Sequence, residues 1–151
     1  MTHARCRDDR GQVGGIEILP FGFLVFVAGM LLMANAWGVV DSKLAVTTAA
    51  REAVRAFVES PDAQTATSEA GAAAAAALDA YGRDGARARI GPPVLSGEFG
   101  RCARVTITVS YEVPVLAVPF IGGFGDLQPV SSTFTELVDP YRDGLDGPAA
   151  C

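Results

Sequence analysis

The spacing of hydrophobic and polar positions changes twice along this chain, and each change marks a new kind of element. From Ile18 to Val40 there is no spacing to find: 23 consecutive residues carry no charge, and Asn35 is the one strongly polar side chain among them. A helix that is apolar on every side has to be buried in protein or lipid. At 1.5 Å per residue the run makes roughly 35 Å of helix, enough to cross a ~30 Å hydrocarbon core with some tilt. Pro20 falls in its first turn, where a missing N–H costs little.

Beyond the run the pattern becomes amphipathic without a break. Val46, Ala50, Ala53 and Phe57 recur at i, i+4, i+7 and i+11, and Thr48, Glu52, Arg55 and Glu59 form the opposite face. Glu52 and Arg55, three apart, are spaced to pair. This predicts one continuous helix over 16–59, with a transmembrane part at 18–40 and an outer half whose apolar stripe needs cover.

Ser60-Pro61-Asp62 should end that helix and open another, with Ser60 as N-cap, Pro61 at the first helical position and Asp62 at the positive end of the dipole. The second helix is expected from about Asp62 to Tyr81. Six alanines, Ala72 to Ala77, favour it. Ala63, Ala66, Ala70, Ala74, Ala77 and Tyr81 make a stripe of mostly small residues suited to close approach to the first helix, and Gly82 is the expected C-cap.

The period then falls to two. Ala86 to Ile90 alternates weakly before Gly91-Pro92-Pro93 breaks it. Cys102 to Val113 is the strongest strand: Val105, Ile107, Val109, Tyr111 and Val113 point one way, and Arg104, Thr106, Thr108, Ser110 and Glu112 the other. A last strand is expected at about Val130 to Val138. Between them, Val113 to Phe124 is an uncharged apolar connection, read either as an irregular segment folded back on the core or as an exposed surface for a partner or membrane. Asp139-Pro140 should end the fold, leaving an acidic, glycine-rich, solvated tail. The expected class is α+β: a long helix, a second alanine-rich helix and a small antiparallel sheet with one face against the helices.

Charge and cysteine content narrow the possibilities. The 151 residues make a polar leader over 1–15, the long helix and one extracytoplasmic domain over 60–151. Residues 41–151 carry nine basic and fourteen acidic side chains, which argues against nucleic acid and anionic lipid as partners. Arg5, Arg7 and Arg10 precede the apolar run, and Lys43, Arg51 and Arg55 follow it. The short leader weighs more in the positive-inside rule, so the N-terminus is expected in the cytoplasm. Cys6 then lies on the reducing side. Cys102 and Cys151 lie on the oxidising side, where they either pair or remain free thiols.

Nothing points to catalysis or to a cofactor. The single histidine, His3, sits in the leader, away from the domain. There is no CxxC pair and no phosphate-binding glycine loop, and Asp139, Asp143 and Asp146 lack the spacing of a calcium loop. The candidates belong to packing instead. Ala34 and Gly38 form a small-xxx-small pair that admits a neighbouring helix. Asn35 either hydrogen-bonds between helices or lies at the interface with Trp37 as anchor. Glu17, at the lip of the run, is either an ordinary interfacial residue or a carboxylate that needs a cationic partner.

The stretch Asp9-Arg10-Gly11-Gln12-Val13-Gly14-Gly15-Ile16-Glu17-Ile18-Leu19-Pro20 resembles the start of TadE-like pilus-assembly proteins, and so does Thr47-Thr48-Ala49-Ala50-Arg51-Glu52-Ala53-Val54-Arg55-Ala56. That family is similar to type IV pilins. The resemblance implies a non-enzymatic minor pilin or pseudopilin of a Tad/Flp system, a single-pass protein of the cell membrane. It implies pilin-like subunits and membrane components of the pilus machine as partners, and the bilayer as its setting. By the same resemblance a prepilin peptidase would cut between Gly11 and Gln12, and Glu17 would neutralise a neighbouring subunit's new amine. Pilins place that glutamate fifth after the cut; here it is sixth. Another reading comes from Ala34-Asn35-Ala36, an A-x-A site behind an apolar core: signal peptidase would cut after Ala36 and release a small secreted binding domain.

Overall fold

The computed structural model of the chain describes residues 18–118, 121–148 and 150–151. Helix α1 (Ile18–Glu59) runs unbroken for 42 residues, about 63 Å at 1.5 Å per residue. Helix α2 (Ala63–Ala80) folds back against it. After a single 3-10 turn at Gly85–Arg87 come the short strands β1 (Arg89–Ile90) and β2 (Val94–Leu95) and the long strands β3 (Arg104–Val118) and β4 (Gly122–Leu137). The architecture is α+β, as the change of period implies.

The turn between the helices differs from expectation by two residues. Asp62, not Ser60, is the N-cap of α2: its carboxylate accepts from the backbone N–H of Gln64 at 3.0 Å and of Thr65 at 2.8 Å. Ser60 is fully buried and donates instead to the Ala56 carbonyl of α1. The reason is position: only Asp62 directly precedes the first helical residue, where a side-chain oxygen reaches the orphan N–H groups. At the other end Tyr81 is the cap and Gly82 follows it at φ +69. Arg83 N–H reaches Leu78 O and Gly82 N–H reaches Asp79 O, a Schellman motif that needs glycine's left-handed freedom.

In the core, Ala45, Val46, Ala49, Ala50, Ala53, Val54, Phe57 and Val58 of α1 are buried. They meet Ala66, Ala70, Ala74 and Leu78 of α2 and the inward row Val105, Ile107, Val109, Tyr111 and Val113 of β3. The stripe of α2 therefore ends on Leu78; Ala63 and Tyr81 are exposed. Four residues per step, from Ala66 to Leu78, is the row that faces one neighbour. On the wet side Arg55 pairs with Glu59 at 3.0 Å rather than with Glu52. The outward row of β3 meets that of β4 in two hydroxyl pairs, Thr106–Thr135 and Thr108–Thr133, each at 2.8 Å.

Strand β3 is central. It pairs along its length with β4, and β1 and β2 share its other edge. The break between β1 and β2 is Gly91-Pro92-Pro93: Gly91 N–H still bonds Thr108 O at 2.8 Å, and the two prolines have no N–H to continue. The largest departure from expectation lies between Val113 and Phe124. This is no irregular connection: the ladder continues past a bulge between Pro114 and Leu116 to the pair Val118↔Gly122. The apolar residues extend both strands, which join where Ile121 N–H bonds Val118 O at 3.1 Å.

The tail also departs from expectation. Past Val138 it turns back along the domain instead of entering solvent. Arg142 donates to the Val58 and Glu59 carbonyls at the C-terminus of α1, Leu145 packs against the core, and Arg101 N–H bonds Asp146 O at 2.7 Å. Cys151 is disulfide-bonded to Cys102, with Cα atoms 5.5 Å apart.

Candidate functional site

Helix α1 carries two different surfaces on one backbone. From Ser42 outward most of its apolar residues are covered by α2 and the sheet, with Leu44 left exposed. From Ile18 to Val40 they are bare: Phe21, Phe23, Phe26, Leu32, Met33 and Trp37 are all exposed, Trp37 at 74%. By length and composition this half could cross a membrane, and none of its apolar window is buried by the rest of the described chain. A continuous exposed apolar surface of this size marks an interaction surface.

The small residues lie on that surface. Ala34 and Gly38 are both exposed. A Cβ placed at Gly22, Gly29 or Gly38 would meet nothing within 4 Å. The described fold therefore does not use their small size; only a second body could.

At the boundary between the two surfaces polar side chains find partners both within α1 and on other elements. Asn35 Nδ2 donates to Leu31 O at 2.7 Å, and Ser42 Oγ to Gly38 O at 2.6 Å. The amide thus meets part of its hydrogen-bonding need within α1, where an unsatisfied polar group in hydrocarbon costs several kcal/mol by order of magnitude. Asp41 and Arg83 form an ion pair at 2.6 Å, the arginine partly buried. Arg83 Nε is buried without a hydrogen-bond partner among the described residues. Lys43 Nζ reaches Ser131 O on β4. Asn35, Gly38, Val39, Ser42, Arg83, Val113 and Pro114 line a cavity of about 270 Å³.

The Asp41–Arg83 pair was not legible in the sequence. Its partners are 42 positions apart. What brings them together is the Schellman turn at Gly82, which redirects the chain towards α1 immediately after α2; that glycine was the available signal.

Gly11, Gln12 and Glu17 lie outside the described residues. Among the described residues no group of three or more His, Cys, Asp or Glu side chains is arranged to hold a metal. Among the described residues outside the apolar half, one carboxylate is displaced from its ordinary range: hydrogen bonds from Thr65, backbone first and then hydroxyl, hold Asp62 below it. That shift belongs to helix capping. No protein-family model, no curated protein and no solved structure matches this chain.

Proposed function

We propose that this chain is a non-enzymatic, single-pass membrane component that assembles with like subunits through the inner half of α1. The observation that carries this reading is the division of that helix. Its outer half is roofed by its own domain, and its inner half keeps large apolar side chains bare beside unfilled glycines. Lipid covers such a surface, and small residues let a second helix approach within it. The resemblance of the first ~60 residues to TadE-like and type IV pilin-like proteins supports a role as minor pilin or pseudopilin of a Tad/Flp-type system. In that role Gly11–Gln12 is the processing site, Glu17 the charge that pairs between subunits, and Ala34 and Gly38 the packing face. The Cys102–Cys151 disulfide supports an oxidising, extracytoplasmic setting for the domain.

A secreted domain released after Ala36 is the second reading. One observation favours it: buried packing on α1 begins at Ser42, so that cut would leave the core whole.

Intact mass of the mature protein, with alkaline extraction of membranes, separates the two. The membrane reading expects a chain that resists extraction and starts at Met1 or Gln12. A soluble chain starting at Trp37 overturns it.

A further inference from the structure

Four contacts order the hairpin of β3 and β4 against α1. Arg142, just past β4, meets Val58 and Glu59; the Arg51 guanidinium lies 4.6 Å from the Phe134 ring centre; Lys43 meets Ser131; Val113 and Pro114 share a cavity with Asn35 and Gly38. The hairpin thus runs towards the bare half of the helix. Val118 lies four residues beyond Pro114, about 13 Å further at ~3.3 Å per residue.

That extension is unlike the rest of the sheet. Ile121, Phe124 and Leu127 are exposed, Ile121 at 72%. Between Val113 and Leu127 the only charge is Asp126. The bulge at Pro114/Leu116 bends the ribbon where it passes the boundary of α1. Leu24, Phe26 and Met30 remain exposed, so the extension does not roof the helix.

We propose that the stretch from Ile121 to Leu127, at the far end of the hairpin, is a second membrane contact, with Ile121, Phe124 and Leu127 seated in the interfacial layer of the leaflet from which α1 emerges. This rests on the membrane reading above. The occupant is a zwitterionic lipid surface, because the only charge on the extension is negative and residues 41–151 are acidic overall. The seat is interfacial: a two-stranded ribbon has open edges whose N–H and C=O groups need water, which hydrocarbon lacks. The apolar side chains on the ribbon favour the boundary, as in other interfacial segments. The two contacts together would set the tilt of the domain on the bilayer.

The test uses the full chain in phosphatidylcholine vesicles. Replacing the only tryptophan (Trp37→Phe) gives a silent background for three single reporters, Leu32→Trp, Phe124→Trp and Tyr141→Trp. Lipids brominated just below the headgroup should quench the position-124 indole about twofold, as expected for ~5–10 Å of insertion. Lipids brominated deep in the chains should quench the position-32 indole, and neither should quench position 141. Quenching at 32 without quenching at 124 overturns the hairpin contact and leaves the span of α1 intact. Absence of quenching at 32 overturns the membrane reading, and the hairpin contact falls with it. A blue-shifted position-124 indole that lipid does not quench, and that red-shifts as protein is diluted in lipid, assigns this stretch to a second copy and overturns the lipid contact. Equal quenching at 124 and 141 also overturns it, since the whole domain then lies on the surface.

Discussion

The outer half of α1, from Ser42 to Glu59, buries Ala45, Val46, Ala49, Ala50, Ala53, Val54, Phe57 and Val58; the inner half, from Ile18 to Val40, buries nothing fully. The covered side of the outer half is mostly alanine and valine; the inner half adds nine phenylalanines, leucines and methionines to its valines, alanines and glycines. Small side chains let α2 and the sheet approach the helix axis, so the domain is close-packed with little bulk. Large side chains without cover leave the inner half dependent on a different surrounding. One helix therefore carries two kinds of surface, which differ in the bulk of their side chains as well as in their cover.

The strongest way to break this comparison is to truncate one large side chain in each half. Phe57→Ala removes a ring that is 1% exposed and stacks edge-on against Phe99 at 5.6 Å. It should cost about 3–5 kcal/mol, read by denaturant unfolding of the domain in detergent. Met30→Ala, in the exposed half, should stay within about 0.5 kcal/mol by the same measurement. Equal losses would show that the two halves are one cooperative core.

Opening the disulfide ranks next. The closed loop spans 49 residues, and Cys151→Ser should destabilise the domain by up to about 4 kcal/mol in the chain-entropy account. Thermal unfolding with and without reductant reads it. The loss belongs to the outer half alone, because the tail it releases carries Arg142, which holds the last carbonyls of α1.

Size can be tested in the other direction. Ala74→Leu adds bulk at a fully buried position of α2 facing α1, and overpacking there should cost about 1–3 kcal/mol in chemical denaturation. The same enlargement at Gly38, where a Cβ meets open space, should leave domain unfolding unchanged and weaken only association between copies, read by crosslinking in membranes.

The smallest effect is titratable. The Asp62 carboxyl is held below its ordinary range by the Thr65 hydrogen bonds, so the folded state favours its ionised form. Its contribution is present above the unfolded carboxylate range and is lost as pH falls through the depressed folded value. The Tm gap between the wild type and Asp62→Ala should therefore be widest at neutral pH and narrow in acid. A gap that grows in acid would contradict the capping role.

The outer half of α1, α2 and the inward row of β3 were legible in the sequence because each rests on a local period, and the inner half of α1 because its apolar run is unbroken. The cap at Asp62 was misplaced because Ser, Pro and Asp all suit a helix start, and only the geometry of the turn selects among them. The continuation of the hairpin through Val113 to Phe124 was missed because pairing is a property of two segments, and apolar runs read alike whether paired or not. The folded-back tail was missed for the same reason: Arg142 finds its carbonyls 83 and 84 positions away.

The sequence by itself determined the α+β class, the single long helix and the point near its middle where amphipathic spacing begins. Those features depend on the nearest dozen side chains, through steric preference and the need to hide apolar surface. The tertiary structure decided which side of that point is covered, which groups satisfy its boundary, and where the hairpin and tail come to rest. Those outcomes depend on groups distant in the chain meeting at contact distance, and only the folded chain brings them together.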